Sequence, residues 1–230
     1  MKLALFDLDH TLIPFDSGMA WTRFLVARGI LAADAESVYL GYCKQYVAGT
    51  LDIRELHQVS VAPLARFGVA VLRQWATEFE AEMAPHVPQA MRALVRAHQD
   101  AGHLCAIVTA TTWLIAEPFG RLFGVADVVA TRSLVVNDSL DGTIEGDPCF
   151  GEHKLMHVKG FLAARGLSLE ALERSWFYSD SISDLPLLSA VSDPVAVCPD
   201  ARLRALALRA GWSIVERGPS RELVDPSASS

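Results

Sequence analysis

The stretch that most constrains the fold is the run from Met1 to Ile13, in which Leu3-Ala4-Leu5-Phe6 leads straight into Asp7-Leu8-Asp9 and then Thr11. These apolar residues are too few for a membrane span and enough for a buried strand. A strand that ends on two acids places carboxylates at the edge of a hydrophobic interior, where an uncompensated charge is costly. A divalent cation, backbone amides or both have to offset them. The rest of the chain must therefore bring other elements to the end of this first strand.

Two further apolar runs have the same form. His103-Leu-Cys-Ala-Ile-Val ends on Thr109, Thr111 and Thr112, and Ser175-Trp-Phe-Tyr-Ser179 ends on Asp180 and Asp184. Val128 to Ala130, Pro194 to Cys198 and Trp212 to Val215 read as additional short strands. Helices are expected over 89–101, through Phe119 and Phe123, over 154–165, from about Leu185, and through Leu203 and Leu206. Leu134 to Val136 and Thr143-Ile144 are expected to form a hairpin around a connection running from Asn137 to Gly142. Alternation of strand and helix implies an α/β protein with a doubly wound, mostly parallel sheet and helices on both faces. Ligands of such sheets bind outside the carboxyl ends of the strands, so Asp7, Asp9, Thr109, Asp180 and Asp184 are expected to converge there.

Residues 15–86 have a different pattern. Ala20, Phe24, Ala27 and Leu31 make one apolar stripe, and Leu72, Trp75, Phe79 and Met83 another, both at helical spacing. They predict an all-helical insertion over a core formed by 1–14 and 87–224, with 225–230 as a disordered tail. A chain of 230 residues with 51% hydrophobic content has enough apolar material for such a core. The net charge of −7 and the lack of a Lys/Arg cluster argue against a nucleic-acid partner. No apolar run approaches the roughly 20 residues of a membrane span, and Asp7 and Asp9 interrupt any signal-peptide pattern, so a cytoplasmic protein is expected. Cys43, Cys105, Cys149 and Cys198 form no metal-binding spacing and read as reduced thiols.

DLDHT at 7–11, Thr109 after a buried run, Lys154, and DSISD at 180–184 occur in that order across nearly the whole chain. In this constellation the sequence resembles the haloacid dehalogenase (HAD) superfamily, and within it the phosphoserine-phosphatase-like subfamily IB, whose helical C1 cap follows the first strand. The resemblance implies a phosphatase that hydrolyses a small-molecule phosphomonoester. Asp7 would be the nucleophile, forming an aspartyl-phosphate that splits one hard hydrolysis into two easier steps. Asp9 would be the general acid and then the general base. Mg²⁺ would be held by Asp7, the Asp9 main-chain oxygen and Asp180, with Asp184 acting through water or orienting Lys154. Thr109 and backbone amides around Ala110 would bind phosphate oxygens, Thr11 would steady the loop, and Lys154 would balance charge at the nucleophile. Lys159, five residues on, reads as solvated.

The sequence departs from the family pattern at several positions. Ser181 stands where a glycine is familiar, and Ala110-Thr111 stand for a pair of glycines. Asp16 occupies the place of the cap-entry glutamate that grips the substrate amine, and Gln58 that of the arginine that grips its carboxylate. A glutamine cannot form a charge-assisted fork. A phosphorylated amine such as a phosphoamino alcohol is therefore expected in preference to phosphoserine. His10 is expected to face away from Asp9 by strand alternation, and His153 to sit exposed at a helix start. Trp21, Trp75, Tyr42 and Tyr46 are expected to serve packing on the inserted helices, with Trp21, just after the entrance to the insertion, the best candidate among them for a substrate platform. Rival readings keep the same intermediate for a phosphotransferase or mutase, or make the protein a non-catalytic phospho-ligand-binding regulator. The presence of both Asp7 and Asp9 counts against the second.

Overall fold

The computed structural model describes residues 1–216. The tail at 225–230 and the end of the expected core range lie outside the described residues. The strands are β1 (Lys2–Phe6), β2 (Leu104–Thr112), β3 (Asp127–Thr131), β4 (Ser133–Val136), β5 (Ser139–Ile144), β6 (Arg174–Ser179), β7 (Asp193–Val197) and β8 (Ser213–Val215). The helices are α1 (Ser17–Ala27), α2 (Ala35–Ala48), α3 (Ile53–Val61), α4 (Val69–Met83), α5 (Gln89–Asp100), α6 (Trp113–Phe123), α7 (Glu152–Ala163), α8 (Leu185–Leu188) and α9 (Ala201–Ala210). Among the described residues no helix is long and apolar enough to cross a membrane.

Six strands form one sheet in the order β3-β2-β1-β6-β7-β8, every neighbouring pair parallel. The chain winds outward from β1 in one direction through β2 and β3, and in the other through β6, β7 and β8. The carboxyl ends of β1, β2 and β6 therefore meet where the winding reverses, the place at which open α/β sheets bind ligands.

Burial explains why β1 reads as an unbroken apolar run. Its residues alternate between two separate cores. Leu3 and Leu5 pack with Val158 and Leu162 of α7, Leu188 of α8 and Leu203 of α9, whereas Ala4 and Phe6 pack with Met91 and Val95 of α5 and Phe119 of α6. A strand covered on both faces has no solvent side on which to place polar residues.

Helices α1 and α4 join the second of these cores. Trp21 and Phe24 stack on each other, Phe79 meets both edge-on, and Phe79 also lies 5.9 Å from Phe119 of α6. Helices α2 and α3 lie further out, and α3 packs on β5 of the small antiparallel hairpin β4-β5. The hairpin turn is tighter than expected. Only Asn137 and Asp138 lie between the strands, both at positive φ, 49° and 62°. Two left-handed residues match the twist of a two-residue hairpin and let Ser139 to Gly142 continue as strand.

Phe79 is fully buried where α1, α4 and α6 meet. Phe79→Ala is expected to cost about 3–5 kcal/mol, read as a lower urea midpoint. Val59→Ala, a truncation at an exposed position, should change stability by less than about 0.5 kcal/mol.

Candidate active site

The chain leaves β1 at Phe6, and the Asp7 amide donates to the Tyr178 carbonyl of β6 at 2.9 Å. Residues Leu8–Leu12 then form a compact helical turn interrupted at Asp9 (φ −67°, ψ 134°) and at His10, which is left-handed with φ 54°. This turn returns Thr11 beneath Asp7. The Thr11 hydroxyl lies 3.2 Å from Asp7 Oδ2 and 3.1 Å from Asp180 Oδ1, and it accepts the Asp180 amide at 3.0 Å. Thr11 thus joins the ends of β1 and β6.

Lys154 comes from the first turn of α7, and its ammonium is buried between two carboxylates, 2.9 Å from Asp7 Oδ1 and 2.8 Å from Asp184 Oδ2. Asp184 Oδ2 also accepts the Ser179 hydroxyl at 2.7 Å, whereas Asp184 Oδ1 is buried without a hydrogen-bond partner. Burial opposes charge on Lys154, but Asp184 and Asp7 overcome it and hold the ammonium protonated. Burial pushes the Asp7 carboxyl well above the usual carboxylate range. Lys154 opposes that shift, and the charges of Asp184, Asp180 and Asp9 add to it. Asp180 is pushed up to about 6, chiefly by burial, with His10 and the Thr11 hydroxyl pulling the other way. Lys159, as expected, is exposed and pairs with Glu170.

Asp7, Asp9, Asp180 and Asp184 therefore share one cavity with Lys154 as its single Lys or Arg among the described lining residues. Such an excess of acid calls for a cation. No three Asp, Glu, His or Cys side chains among the described residues are gathered closely enough to hold a metal by themselves. Mg²⁺ commonly uses one or two carboxylates and keeps several waters, and the donors here are all oxygen. The unpartnered Asp184 Oδ1 gives such a shell a further acceptor. On chemistry, charge and this orphaned atom, the residues fit Mg²⁺.

The Asp9 carboxylate is held from two other elements. Its Oδ1 accepts the Ser17 amide of α1 at 2.7 Å, and its Oδ2 accepts the Thr111 hydroxyl of β2 at 2.6 Å. Thr109 is almost fully buried, and its hydroxyl accepts the Thr111 amide at 3.2 Å. Ala110 lines the same cavity, and its carbonyl accepts the Thr131 hydroxyl at 2.7 Å.

Asp16, the cap of α1, also faces the cavity, with Oδ1 accepting the Met19 amide at 2.7 Å and the Tyr39 hydroxyl at 3.0 Å. Burial, reinforced by Asp9, raises its carboxyl to about 6 against those two hydrogen bonds. Tyr39 packs so closely on Gly18 that a Cβ there would lie 2.1 Å from its hydroxyl oxygen. The cavity holds about 510 Å³, and α2 and α3 line it with Tyr42, Cys43, Tyr46, Val47, Ile53 and Leu56.

Three expectations are corrected here. Gln58 is exposed and lines neither this cavity nor the neighbouring one of about 630 Å³. The inward positions of α3 are Ile53 and Leu56, and two residues beyond Leu56 the helix has turned through about 200°, which carries Gln58 to the outside. His10 is exposed as expected, but it lines the cavity and its charge acts on Asp16 and Asp180. Strand alternation does not govern it, because β1 has already ended at Phe6. Trp21 is buried in packing and does not line this cavity. His153 is half-buried at the start of α7 rather than exposed, its Nδ1 3.6 Å from Asp147 Oδ2.

Ser17, Tyr39 and Asp200 join the site without having been singled out from sequence, and Thr111 and Tyr46 take parts there beyond those of a small replacement and a packing residue. Ser17 and Thr111 hold Asp9, and Tyr39 holds Asp16. Tyr46 of α2 shares hydrogen bonds with Ser181 at 2.5 Å and Ser183 at 3.2 Å. Asp200 caps α9 with Oδ1 and holds the Ile182 amide with Oδ2 at 2.8 Å. Of Ser17, Tyr39 and Asp200, only Asp200 carried a signal, an Asp immediately before a helical pattern.

A family model described as haloacid dehalogenase-like hydrolase matches residues 4–189. The chain belongs to the haloacid dehalogenase-like hydrolases. It is an enzyme, and among its relatives in this family are named phosphatases. A histidinol-phosphatase of Neisseria meningitidis serogroup C (strain 8013) is 38% identical over 93% of this chain and 98% of its own length. The phosphoserine phosphatase SerB1 of Mycobacterium tuberculosis (strain ATCC 25618 / H37Rv) is 32% identical over 92% of this chain and 69% of its own. A solved structure of a protein of unknown function from Bordetella pertussis Tohama I superposes with a TM-score of 0.86 at 38% identity, covering 93% of this chain and 97% of that one. A substrate-bound phosphoserine phosphatase has a TM-score of 0.66 at 17% identity, over 94% and 93%, and so shares the HAD fold. HAD phosphatases generally use Mg²⁺, in keeping with the donor set above.

The raised Asp16 value yields a pH-dependent expectation. A carboxyl that binds its proton more tightly folded (about 6) than unfolded (3.8) destabilises the fold above pH 6, and the penalty fades as pH falls from about 6 towards 3.8. Asp16→Asn keeps an acceptor for the Met19 amide. It is expected to raise stability at pH 8, by an amount on the order of 3 kcal/mol, and to give little advantage at pH 4, measured by urea unfolding at both values.

Proposed function

We propose that this HAD hydrolase removes phosphate from a small phosphoamino alcohol through an aspartyl-phosphate on Asp7, with Mg²⁺ as cofactor. Residues 15–86 form the cap over a core of 1–14 and, among the described residues, 87–216. The Asp7 carboxylate attacks phosphorus, the ester P–O bond breaks, and Asp9 gives its proton to the departing oxygen. In the second step Asp9 takes a proton from water as that water attacks phosphorus, the bond to Asp7 breaks, and inorganic phosphate leaves. Bound at Asp7, the Asp9 main-chain oxygen and Asp180, with Asp184 in support, Mg²⁺ would supply positive charge for the transferring phosphoryl group. Lys154 holds the nucleophile in place and offsets part of its charge. The Thr109 hydroxyl and the amides near Ala110 bind phosphate oxygens, while α2 and α3 restrict bulk water.

One observation carries the substrate class. The cavity presents a half-buried carboxylate, Asp16, beside apolar and aromatic walls, and among the described lining residues its only Lys or Arg is Lys154, already committed to Asp7 and Asp184. An ammonium next to an apolar or aromatic body suits such a wall, whereas a substrate carboxylate has no free cation to meet. The exposed position of Gln58 leaves that conclusion intact, because neither a glutamine nor an arginine reaches in from α3. The histidinol-phosphatase relative favours the same class, since histidinol phosphate is a phosphoamino alcohol with an aromatic ring.

The test is phosphate release from a panel containing histidinol phosphate, phosphoethanolamine, phosphoserine and an aryl phosphate, with Mg²⁺ and with a chelator. Turnover is expected to need Mg²⁺, to be fastest with the phosphoamino alcohols and to vanish in Asp7→Asn. Asp16→Ala should raise KM for amine-bearing substrates by about tenfold or more, the equivalent of one charge-assisted hydrogen bond, and barely affect the aryl phosphate. Preference for phosphoserine would overturn the substrate class.

A further inference from the structure

At the end of β2 the ladder to β3 shifts register between Thr109 and Thr112. The two intervening residues are thereby released from regular strand pairing, and the Thr111 side chain points towards the first-strand turn, where its hydroxyl donates to Asp9 Oδ2 at 2.6 Å. A hydroxyl has one proton to give. The contact of 3.2 Å between the Ser17 and Thr111 hydroxyls is therefore donated by Ser17. The result is a directed chain, Ser17 to Thr111 to Asp9, with the Ser17 amide closing on the other Asp9 oxygen at 2.7 Å. Both carboxylate oxygens are thus held by groups from outside the turn that carries Asp9.

That hold matters because the turn itself fixes Asp9 poorly. Its backbone leaves helical geometry at Asp9 and is left-handed at His10, and Asp9 is only half-buried. A general acid must lie within hydrogen-bond reach of the oxygen that it protonates, and a displacement of an ångström loses much of its effect. The Ala110-Thr111 replacement of the familiar glycine pair supplies a hydroxyl that a glycine lacks.

We infer that Thr111, supported by Ser17, is a positioning residue that holds the Asp9 carboxyl at the leaving-group oxygen. This rests on the assignment of Asp9 as general acid. The function of such a residue shows in the leaving group. An alkoxide needs a proton to depart and a nitrophenolate does not, and kcat/KM reports the steps up to the release of that group.

The experiment measures kcat/KM for Thr111→Val, Thr111→Ser, Ser17→Ala and Asp9→Asn with phosphoethanolamine and with 4-nitrophenyl phosphate, alongside thermal unfolding of each variant. Thr111→Val should lower kcat/KM for the alkyl ester by about 10- to 100-fold, within the 10²–10⁴ that acid–base catalysis contributes, and for the aryl ester by less than about threefold. Thr111→Ser should restore the alkyl ester, Ser17→Ala should show a smaller loss of the same kind, and Asp9→Asn a larger one. Equal losses on both esters in Thr111→Val, or no loss beside a clear Asp9→Asn split, would overturn the positioning role while leaving Asp9 as the acid. An Asp9→Asn enzyme that treats both esters like wild type would remove the acid assignment itself and the inference with it.

Discussion

The site depends on one buried contact, the Lys154 ammonium between Asp7 and Asp184. A lone ammonium or a lone carboxylate at that depth would lose several kcal/mol of hydration, and removal of one member of such a group typically costs about 3–5 kcal/mol. The three residues come from α7, the end of β1 and the loop after β6. Their contact is possible only if the crossover through α7 returns the chain to the centre of the sheet. Even so, one ammonium against the six aspartates that line the cavity leaves it strongly negative. That excess of acid, added to the burial that chiefly raises Asp7 and Asp180, is what makes the donor set suit a divalent cation.

The strand ends were legible in the sequence because β1, β2 and β6 are covered on both faces, so that their first polar residues mark where the sheet stops and the site begins. The choice of Lys154 over Lys159 also had a physical trace. Lys154, Val158 and Leu162 are four residues apart and share the buried face of α7, from which Lys159 is turned away. The hairpin was legible as a hairpin, but its turn was placed across residues that continue as β5, because turn-forming types at 137–142 outnumber the two that actually turn.

The misplaced residues share a cause. Gln58 was located by counting along the chain from a motif, and on a helix an error of one or two positions moves a side chain to the opposite face. His10 was located by a period-two rule beyond the end of its strand. Thr111 looked like a small replacement, because the register shift that aims its hydroxyl at Asp9 depends on pairing with β3 and leaves no mark in local composition. Ser181, another small replacement, acquires its meaning from Tyr46, which is 135 residues away and reaches it from α2. Helices α1 and α4 are rooted in the aromatic core, which α3 joins at Val61 near its end, and α2 packs on α1 where Tyr39 meets Gly18. Both α2 and α3 also make polar contacts with the rest of the chain, Tyr46–Ser181 and Arg54–Asp147, and α3 packs on the hairpin. The acidic site is thus built on the ends of the sheet strands, and α2 and α3 line the rest of its cavity.

The most direct measurement of the central claim is the site of phosphoryl attachment. Enzyme mixed with excess substrate and Mg²⁺ is quenched in acid within one turnover and reduced with borohydride, which converts an aspartyl-phosphate into homoserine, and the position is found by peptide mass spectrometry. Homoserine at residue 7, absent without substrate and in Asp7→Asn, is the expected result. Homoserine at Asp9 or Asp180, or a phosphorylated serine, threonine or histidine with residue 7 unmodified, would contradict it.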